Sequence, residues 1–178
     1  MEGNDSTGVV LHRFFSGLSE YIFHSKLGVA DTEMVDYVSD LLVRFTKADA
    51  ANRIRQLNGR PATEVVTMMA EAQQRVGLAK RAVHRHIGDF TLFWSGMYPE
   101  ALREPSAAGK DTFVSYCHFG KRAYGIASQI ESDPVDPPCA LLKRLSDQFE
   151  MCTYALREIR REWEENDRKE GEPPILLL

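Results

Sequence analysis

The sequence lacks the cysteine pattern of a disulfide-stabilised protein. Its 178 residues contain only three cysteines, Cys117, Cys139 and Cys152, and no two of them form a CxxC pair. A small scaffold held together by disulfides carries more cysteines at closer spacing. We therefore expect reduced thiols and a cytoplasmic location.

Long hydrophobic runs and an excess of positive charge are also missing. No apolar stretch approaches the roughly 20 residues that span a bilayer, and the first residues, MEGNDSTG, are polar and acidic rather than typical of a signal peptide. The formal net charge is −4, whereas a general nucleic-acid binder usually has a basic surface. These features predict neither a membrane nor a nucleic acid as partner.

The common patterns of catalytic and metal sites are absent as well. We find no glycine-rich phosphate loop, Walker pattern, nucleophile elbow or pair of Glu-x-x-His motifs. Cys117 and His118 are sequence neighbours, so on a helix their side chains diverge by about 100°. His84 and His86 are two residues apart and point in different directions. The sequence predicts no metal and no cofactor, and it indicates no particular reaction.

Hydrophobic periodicity indicates an all-α protein. Hydrophobic residues make up 43% of the chain and charged residues 27%, which is typical of a globular protein. Apolar residues recur at steps of three and four, and no strand pattern is present. We predict one irregular helical bundle of about six helices over residues 1–178, with a frayed N-terminus at 1–6 and a C-terminal tail at 167–178.

The centre of the predicted bundle is a helix over residues 82–98. Basic residues, including Arg81, lie at its N-terminal end, and we expect these first turns to meet water. Its later turns are apolar on nearly all sides, which predicts burial. Asp89 interrupts this apolar surface, and a buried carboxylate needs a partner. The stripe that defines the inner face is Val83, Ile87, Phe90, Trp94 and Met97.

The helix predicted over residues 111–130 has a face of small residues. Gly120, Ala123 and Ala127 share that face, which would let a second helix approach closely. We expect Gly120 to face a bulky side chain of the central helix, such as Phe93 or Trp94.

The last predicted helix, from about Cys139 to Asn166, has the most regular pattern. Apolar residues occupy the a and d positions of three heptads, a seam found in helix bundles and coiled coils. Either Phe14 and Phe15 of the first helix or a second copy of the chain could cover its C-terminal half. We favour cover within the chain. The seam consists of Leu142, Leu145, Phe149, Cys152, Leu156, Ile159 and Trp163.

A polar cluster is predicted between the 82–98 and 111–130 helices. One interpretation is a lined cavity for a small anion or polar ligand. The other, which we favour, is a hydrogen-bonded network that fixes the register of the helices. The candidate ligand-binding residues are His86, Asp89, Tyr116, His118, Lys121, Arg122 and Tyr124.

Three segments resemble a family of bacterial all-helical proteins for which we know of no established activity. They are HRHIGDFTLFWSGMYPEAL, YCHFGKRAYGIAS and FEMCTYALREIRREWE, and the likeness covers about two thirds of the chain. The resemblance implies a helical fold. It implies no activity and no functional residues.

Two functions remain open from the sequence. The first is a non-enzymatic module that binds a protein partner or forms a weak homodimer, because the chain has a long apolar seam and ends in the apolar tail PPILLL. The alternative is a small-molecule-binding protein or an enzyme that uses the polar cluster. A closed polar cavity would favour the alternative, and an apolar patch along the last helix would favour the first.

Overall fold

In the computed structural model, the described residues form seven α-helices. The structure describes residues 3–56, 61–102, 112–131 and 133–170, and no strand occurs in these ranges. This confirms the all-α prediction, with seven helices rather than six. A π-helical turn at Tyr21–Lys26 extends the first helix, and a 3₁₀ turn at Pro99–Leu102 follows the fourth. The helices are α1 (Gly3–Glu20), α2 (Thr32–Gln56), α3 (Pro61–Gln74), α4 (Gly77–Met97), α5 (Thr112–Ala127), α6 (Cys139–Asp147) and α7 (Phe149–Glu170).

Helix α4 is the centre of the bundle, as predicted. It contacts α2, α3, α5 and α7, most extensively α5, and every residue from 87 to 97 is buried. Close packing depends on two of its glycines. A Cβ atom at Gly88 would lie 2.7 Å from the ring of Tyr124, and one at Gly96 would lie 2.4 Å from the Cβ of Leu156. Larger residues at these positions would push α5 and α7 away.

The small face of α5 meets different partners from those predicted. A Cβ atom at Gly120 would lie 2.3 Å from both the ring of Phe149 and the Oγ1 of Thr91. The bulky neighbour therefore belongs to α7, and α4 contributes only a threonine. The expectation that Phe93 or Trp94 fills this space is wrong, because Gly120 sits where three helices meet rather than between two.

The C-terminal heptad pattern spans two helices rather than one. The break lies at Gln148, whose φ of −110° and ψ of 25° leave the helical region. Helix α6 packs mainly on α5, whereas α7 packs mainly on α4, so the break lets each segment follow a different neighbour. All seven seam residues are nevertheless buried.

The C-terminal half of the seam is covered within the chain. The ring of Trp163 lies edge-on to two rings of α1, with centroid distances of 5.8 Å to Phe14 and 5.2 Å to Phe15. This confirms the expected cover by the first helix, which begins at Gly3. The apolar tail at 171–178 lies outside the described residues.

A buried arginine anchors the start of α4. Arg81 is only 2% exposed, so the expectation that these first turns meet water is wrong at this position. Its Nε donates to the carbonyl oxygen of Ile130 at 2.9 Å, and its Nη2 donates to that of Pro137 at 2.6 Å. Its Nη1 lies 3.7 Å from Oδ2 of Asp136. Periodicity could not reveal this role, because the acceptors are backbone atoms about 50 residues further along the chain.

Candidate ligand-binding site

The carboxylate of Asp89 is the hub of a buried polar cluster. Asp89 is 1% exposed. Its Oδ1 accepts hydrogen bonds from the hydroxyls of Tyr37 at 2.5 Å and Tyr124 at 2.7 Å. Its Oδ2 accepts one from Nη1 of Arg44 at 3.1 Å. The prediction that Asp89 is buried and bonded to another helix is confirmed, with partners on both α2 and α5.

The cluster is electrostatically self-consistent. Burial, followed by the negative charge of Asp89, raises the pKa of both Tyr37 and Tyr124 well above the ordinary value. Both hydroxyls therefore stay protonated and donate to the carboxylate. Arg44 supplies the compensating positive charge, and its side chain is 45% exposed. A buried carboxylate with three donors has little capacity left for a ligand, so these contacts favour the register-fixing interpretation.

Most of the predicted site residues do not join this cluster. Of the candidate set, Asp89 and Tyr124 belong to it. His86 is exposed and stacks on Phe45 with a centroid distance of 6.3 Å. His118 is exposed as well, and Tyr116 is buried. The expected meeting of Asp89 with the next helix is therefore made by Tyr124, and His86 does not take part in it.

The two remaining candidates, Lys121 and Arg122, lie on the surface of α5, outside the Asp89 cluster. Lys121 is held by Glu150 of α7, with Nζ 3.0 Å from Oε1. Arg122 is exposed and lines a separate cleft. Because consecutive helical residues diverge by about 100°, the two cations cannot serve one buried ligand together with Asp89.

Sequence reasoning missed two members of the Asp89 cluster, Tyr37 and Arg44. A signal was present, because the two residues are seven apart and so share one face of α2. A tyrosine and an arginine on one helical face are common on solvated surfaces, however. Only the packing of α2 against α4 brings them to the carboxylate.

A cleft between α3, α4 and α5 provides a more open site. Its volume is about 250 Å³, close to the lower end of the roughly 300–1,000 Å³ typical of small-molecule sites. The floor is apolar and is built by residues of all three helices. It consists of Met69, Ala72, Ile87, Phe119, Ala123 and Ile126.

The polar groups of this cleft have unused hydrogen-bonding capacity. They are Gln73, Lys80, His84 and Arg122. Among the residues that the structure describes, neither Lys80 nor Arg122 forms an ion pair. The Nδ1 atom of His84 is buried and has no hydrogen-bond partner in the same part of the chain. An orphan buried polar atom is costly, so a ligand that bonds to it would be favoured.

The electrostatics of the cleft favour a negative ligand. Partial burial lowers the pKa of His84, and the positive charges of Lys80 and Arg122 lower it further. The imidazole is therefore neutral at pH 7, and two fixed cations lie beside it. Within the described lining of the cleft there is no carboxylate to neutralise them. An anionic group placed there would pair with Lys80 and Arg122 and accept a hydrogen bond from the imidazole.

A second, shallower cleft lies on the other side of Arg122. Its volume is about 340 Å³, and it is lined mainly by polar groups, including His118, Gln129 and Ser146. Two of these groups are already used, because Lys121 pairs with Glu150 and the hydroxyl of Ser146 donates to the carbonyl of Lys121 at 2.7 Å. This cleft is the weaker candidate site.

The described part of the chain contains no cluster of metal-ligand side chains and no membrane-spanning helix. No three histidine, cysteine, aspartate or glutamate side chains in residues 3–56, 61–102, 112–131 and 133–170 come together as a metal site would require. In the same ranges, no helix combines the length and the apolar composition needed to cross a bilayer.

Comparisons with known proteins identify no relative of this chain. The chain was compared with protein-family models, with curated proteins and with solved structures, and none of the three comparisons finds a match. The resemblance to a family of bacterial helical proteins therefore stays a prediction. Function has to be inferred from the contacts of the chain itself.

Proposed function

We propose that the protein is a non-enzymatic helical module that binds a small amphipathic anion in the cleft between α3, α4 and α5. The ligand carries a carboxylate or phosphate group joined to an apolar part. The anionic group lies between Lys80, His84 and Arg122, and the apolar part covers the floor around Ile87 and Phe119. This is a more specific form of the alternative function considered from the sequence, a protein that binds a small molecule. The proposed site lies on the face of α4 next to Asp89 rather than at Asp89 itself.

One observation supports the proposal above all others. Lys80, His84 and Arg122 converge on one apolar cleft, and within the described residues none of the three side chains has a polar partner. Elsewhere the protein pairs its cations readily, as with Arg144 and Asp31 at 2.7 Å. Polar and charged groups without partners around an apolar cleft are typical of a ligand site.

The thiols of the chain support binding rather than nucleophilic chemistry. Burial, with a smaller effect of the charge of Asp31, raises the pKa of Cys152 to about 12. Cys139 donates its thiol hydrogen to the carbonyl oxygen of Ile130 at 3.3 Å. A nucleophilic cysteine needs an accessible thiolate and a nearby base. Neither of these two thiols has that environment.

Octanoate is a suitable probe, because it joins one carboxylate to an apolar chain. Isothermal titration calorimetry with octanoate should give measurable binding, whereas 1-octanol, which lacks the charge, should bind at least about tenfold more weakly, because a charge-assisted hydrogen bond contributes about 1.5–3 kcal/mol. NMR amide shifts induced by octanoate should centre on residues 80–84 and 119–126.

Two variants locate the site. Arg122→Gln and Lys80→Gln should each weaken octanoate binding about tenfold or more. Arg168→Gln is the matched control, because it removes an exposed cation near the end of α7 and should leave the affinity unchanged. Octanoate binding that all three variants retain would overturn the proposal, and so would equal affinity for octanoate and 1-octanol.

The same proposal includes a cytoplasmic location. Its support is that none of the three cysteines, all of which lie in the described ranges, forms a disulfide. Cys152 is buried, and Cys117 and Cys139 are half-buried. Proteins of oxidising compartments usually pair their cysteines. Thiol labelling of the protein in lysed cells, before and after reduction, would test it. Labelling that increases strongly after reduction would argue against it.

A further inference from the structure

The outer face of α1 carries a stripe of apolar side chains that the described part of the chain leaves partly exposed. Val10 is 63% exposed, Phe14 is 38% exposed, and Tyr21, the first residue of the π-helical turn, is 49% exposed. Gly17 lies between them and is also exposed. The steps of four, three and four residues are those of a heptad seam. The inner face of α1 is already used, because Phe15 packs against Trp163. Phe14 lies at the edge of the stripe and also contacts Trp163, so only part of its ring is available.

Gly17 makes this stripe suitable for a helix crossing. A Cβ atom built there would have no atom of the described chain within 4 Å, so packing inside the monomer does not require glycine. Glycine within a helix costs roughly 1 kcal/mol relative to alanine. At the middle of an exposed apolar stripe, the missing side chain forms a notch into which another backbone can pack closely.

Two charges flank the notch in a self-complementary way. Arg13 precedes Gly17 by one turn, and Glu20 follows it by three residues. Both side chains are exposed, and within the described ranges neither forms a hydrogen bond or an ion pair. If two copies of α1 cross antiparallel at Gly17, Arg13 of each helix faces Glu20 of the other. A parallel crossing would instead place like charges together.

We propose that the outer face of α1 is a homodimer interface, in which two copies cross antiparallel at Gly17. Val10, Phe14 and Tyr21 supply its apolar contacts, and two symmetric Arg13–Glu20 pairs set its orientation. Such an interface is isologous, the type that generates closed dimers. It lies on α1, apart from the α3–α4–α5 cleft, and it does not depend on the ligand proposed there.

The dimer is a weak one. A stable interface buries about 800 Å² on each partner, and one crossing of two helices over about three turns buries less than this. Sedimentation of the wild-type protein from about 10 µM to about 1 mM should therefore show a rising fraction of dimer. Protein that remains monomeric across this range overturns the proposal.

Gly17→Gln separates the interface from folding. Glutamine favours helices over glycine and has open space in the monomer, so the urea midpoint should stay the same or rise. The same side chain would block the crossing and raise the dimer dissociation constant by about tenfold or more. Gly17→Ala is the matched control. Its urea midpoint should also stay the same or rise, and its dimer dissociation constant should remain within about threefold of that of the wild type. A dimer that persists in Gly17→Gln overturns the crossing point.

Charge reversal tests the antiparallel orientation. Arg13→Glu and Glu20→Arg should each raise the dissociation constant about threefold to tenfold, and the double variant should restore it, because the pairs re-form with opposite sign. If the double variant is as weak as the single variants, the antiparallel pairing is wrong. Octanoate binding should be unchanged in all of these variants, so failure of the interface would be distinguishable from failure of the cleft.

Discussion

Two polar regions on helix α4, separated by little more than one turn, differ in whether their polar atoms have partners. Around Asp89, three donors from α2 and α5 converge on one carboxylate in the interior. Around His84, the imidazole and two cations surround a cleft, and within the described residues they lack partners. The comparison teaches that a buried polar residue alone does not mark a ligand site. We propose that unused hydrogen-bonding capacity is the better indicator of such a site.

The largest expected effect comes from breaking the satisfied region. Asp89→Ala leaves two buried tyrosine hydroxyls and one guanidinium without their acceptor, which should lower the free energy of unfolding by about 3–5 kcal/mol. Urea denaturation measures this loss. Asp40→Ala is the control, because it removes an exposed carboxylate whose partner is His12, and it should cost about 0–1 kcal/mol. Equal midpoints for the two variants would mean that the Asp89 cluster contributes little.

A smaller loss of stability is expected when Tyr124 is pushed away from Asp89 but Asp89 itself is kept. Gly88→Ala places a Cβ atom 2.7 Å from the ring of Tyr124, which has to shift away from Asp89. Overpacking of this kind costs about 1–3 kcal/mol. The midpoint of thermal unfolding should fall accordingly, whereas Gly17→Ala, at an open helical position, should raise it. If both alanine variants are stabilised, α4 and α5 do not approach as closely as described.

The unsatisfied region should respond in the opposite way. Arg122→Gln removes a side chain that has no ion pair within the described ranges, so the free energy of unfolding should change by less than about 0.5 kcal/mol. The same variant should lose most of its affinity for octanoate. If Arg122→Gln is strongly destabilised and still binds octanoate as tightly, Arg122 stabilises the fold and does not bind the ligand.

The smallest effect is a dependence of stability on pH. The pKa of His84 is lowered in the folded protein, first by burial and then by Lys80 and Arg122, whereas in the unfolded chain it is about 6.5. The unfolded chain therefore binds the proton more readily as the pH falls below about 6.5, and this favours unfolding. Relative to His84→Gln, the wild-type protein should lose stability between about pH 7 and pH 5.

Urea midpoints of both proteins across that range measure the difference, since acid effects on other groups cancel in the comparison. Saturating octanoate should reduce the difference, because its carboxylate stabilises the protonated imidazole. If the stability curves of the two proteins are parallel with and without octanoate, burial and the two cations do not lower the pKa of His84.

Much of the fold could be predicted from the sequence, because periodicity reports which side of a helix is apolar. The burial of α4 and of the seam residues follows from repeats of three and four, and so does the need of Asp89 for a partner. The break at Gln148 could not be predicted. The seven seam residues keep their spacing through it, and the change of direction depends on which helices lie beside each segment.

The candidate site divides in the same way. From the sequence alone, one could predict that Asp89 is buried and that Tyr124 lies on the helix that meets it. Tyr37, Arg44 and Arg81 are residue types common on solvated surfaces. Each acquires its role from an acceptor 45–56 residues away along the chain. The cleft of Lys80, His84 and Arg122 likewise joins helices that no local pattern connects. Local sequence determined which faces are apolar, but only the packing of helices decided which polar groups found partners, because pairing depends on distances in space and not along the chain.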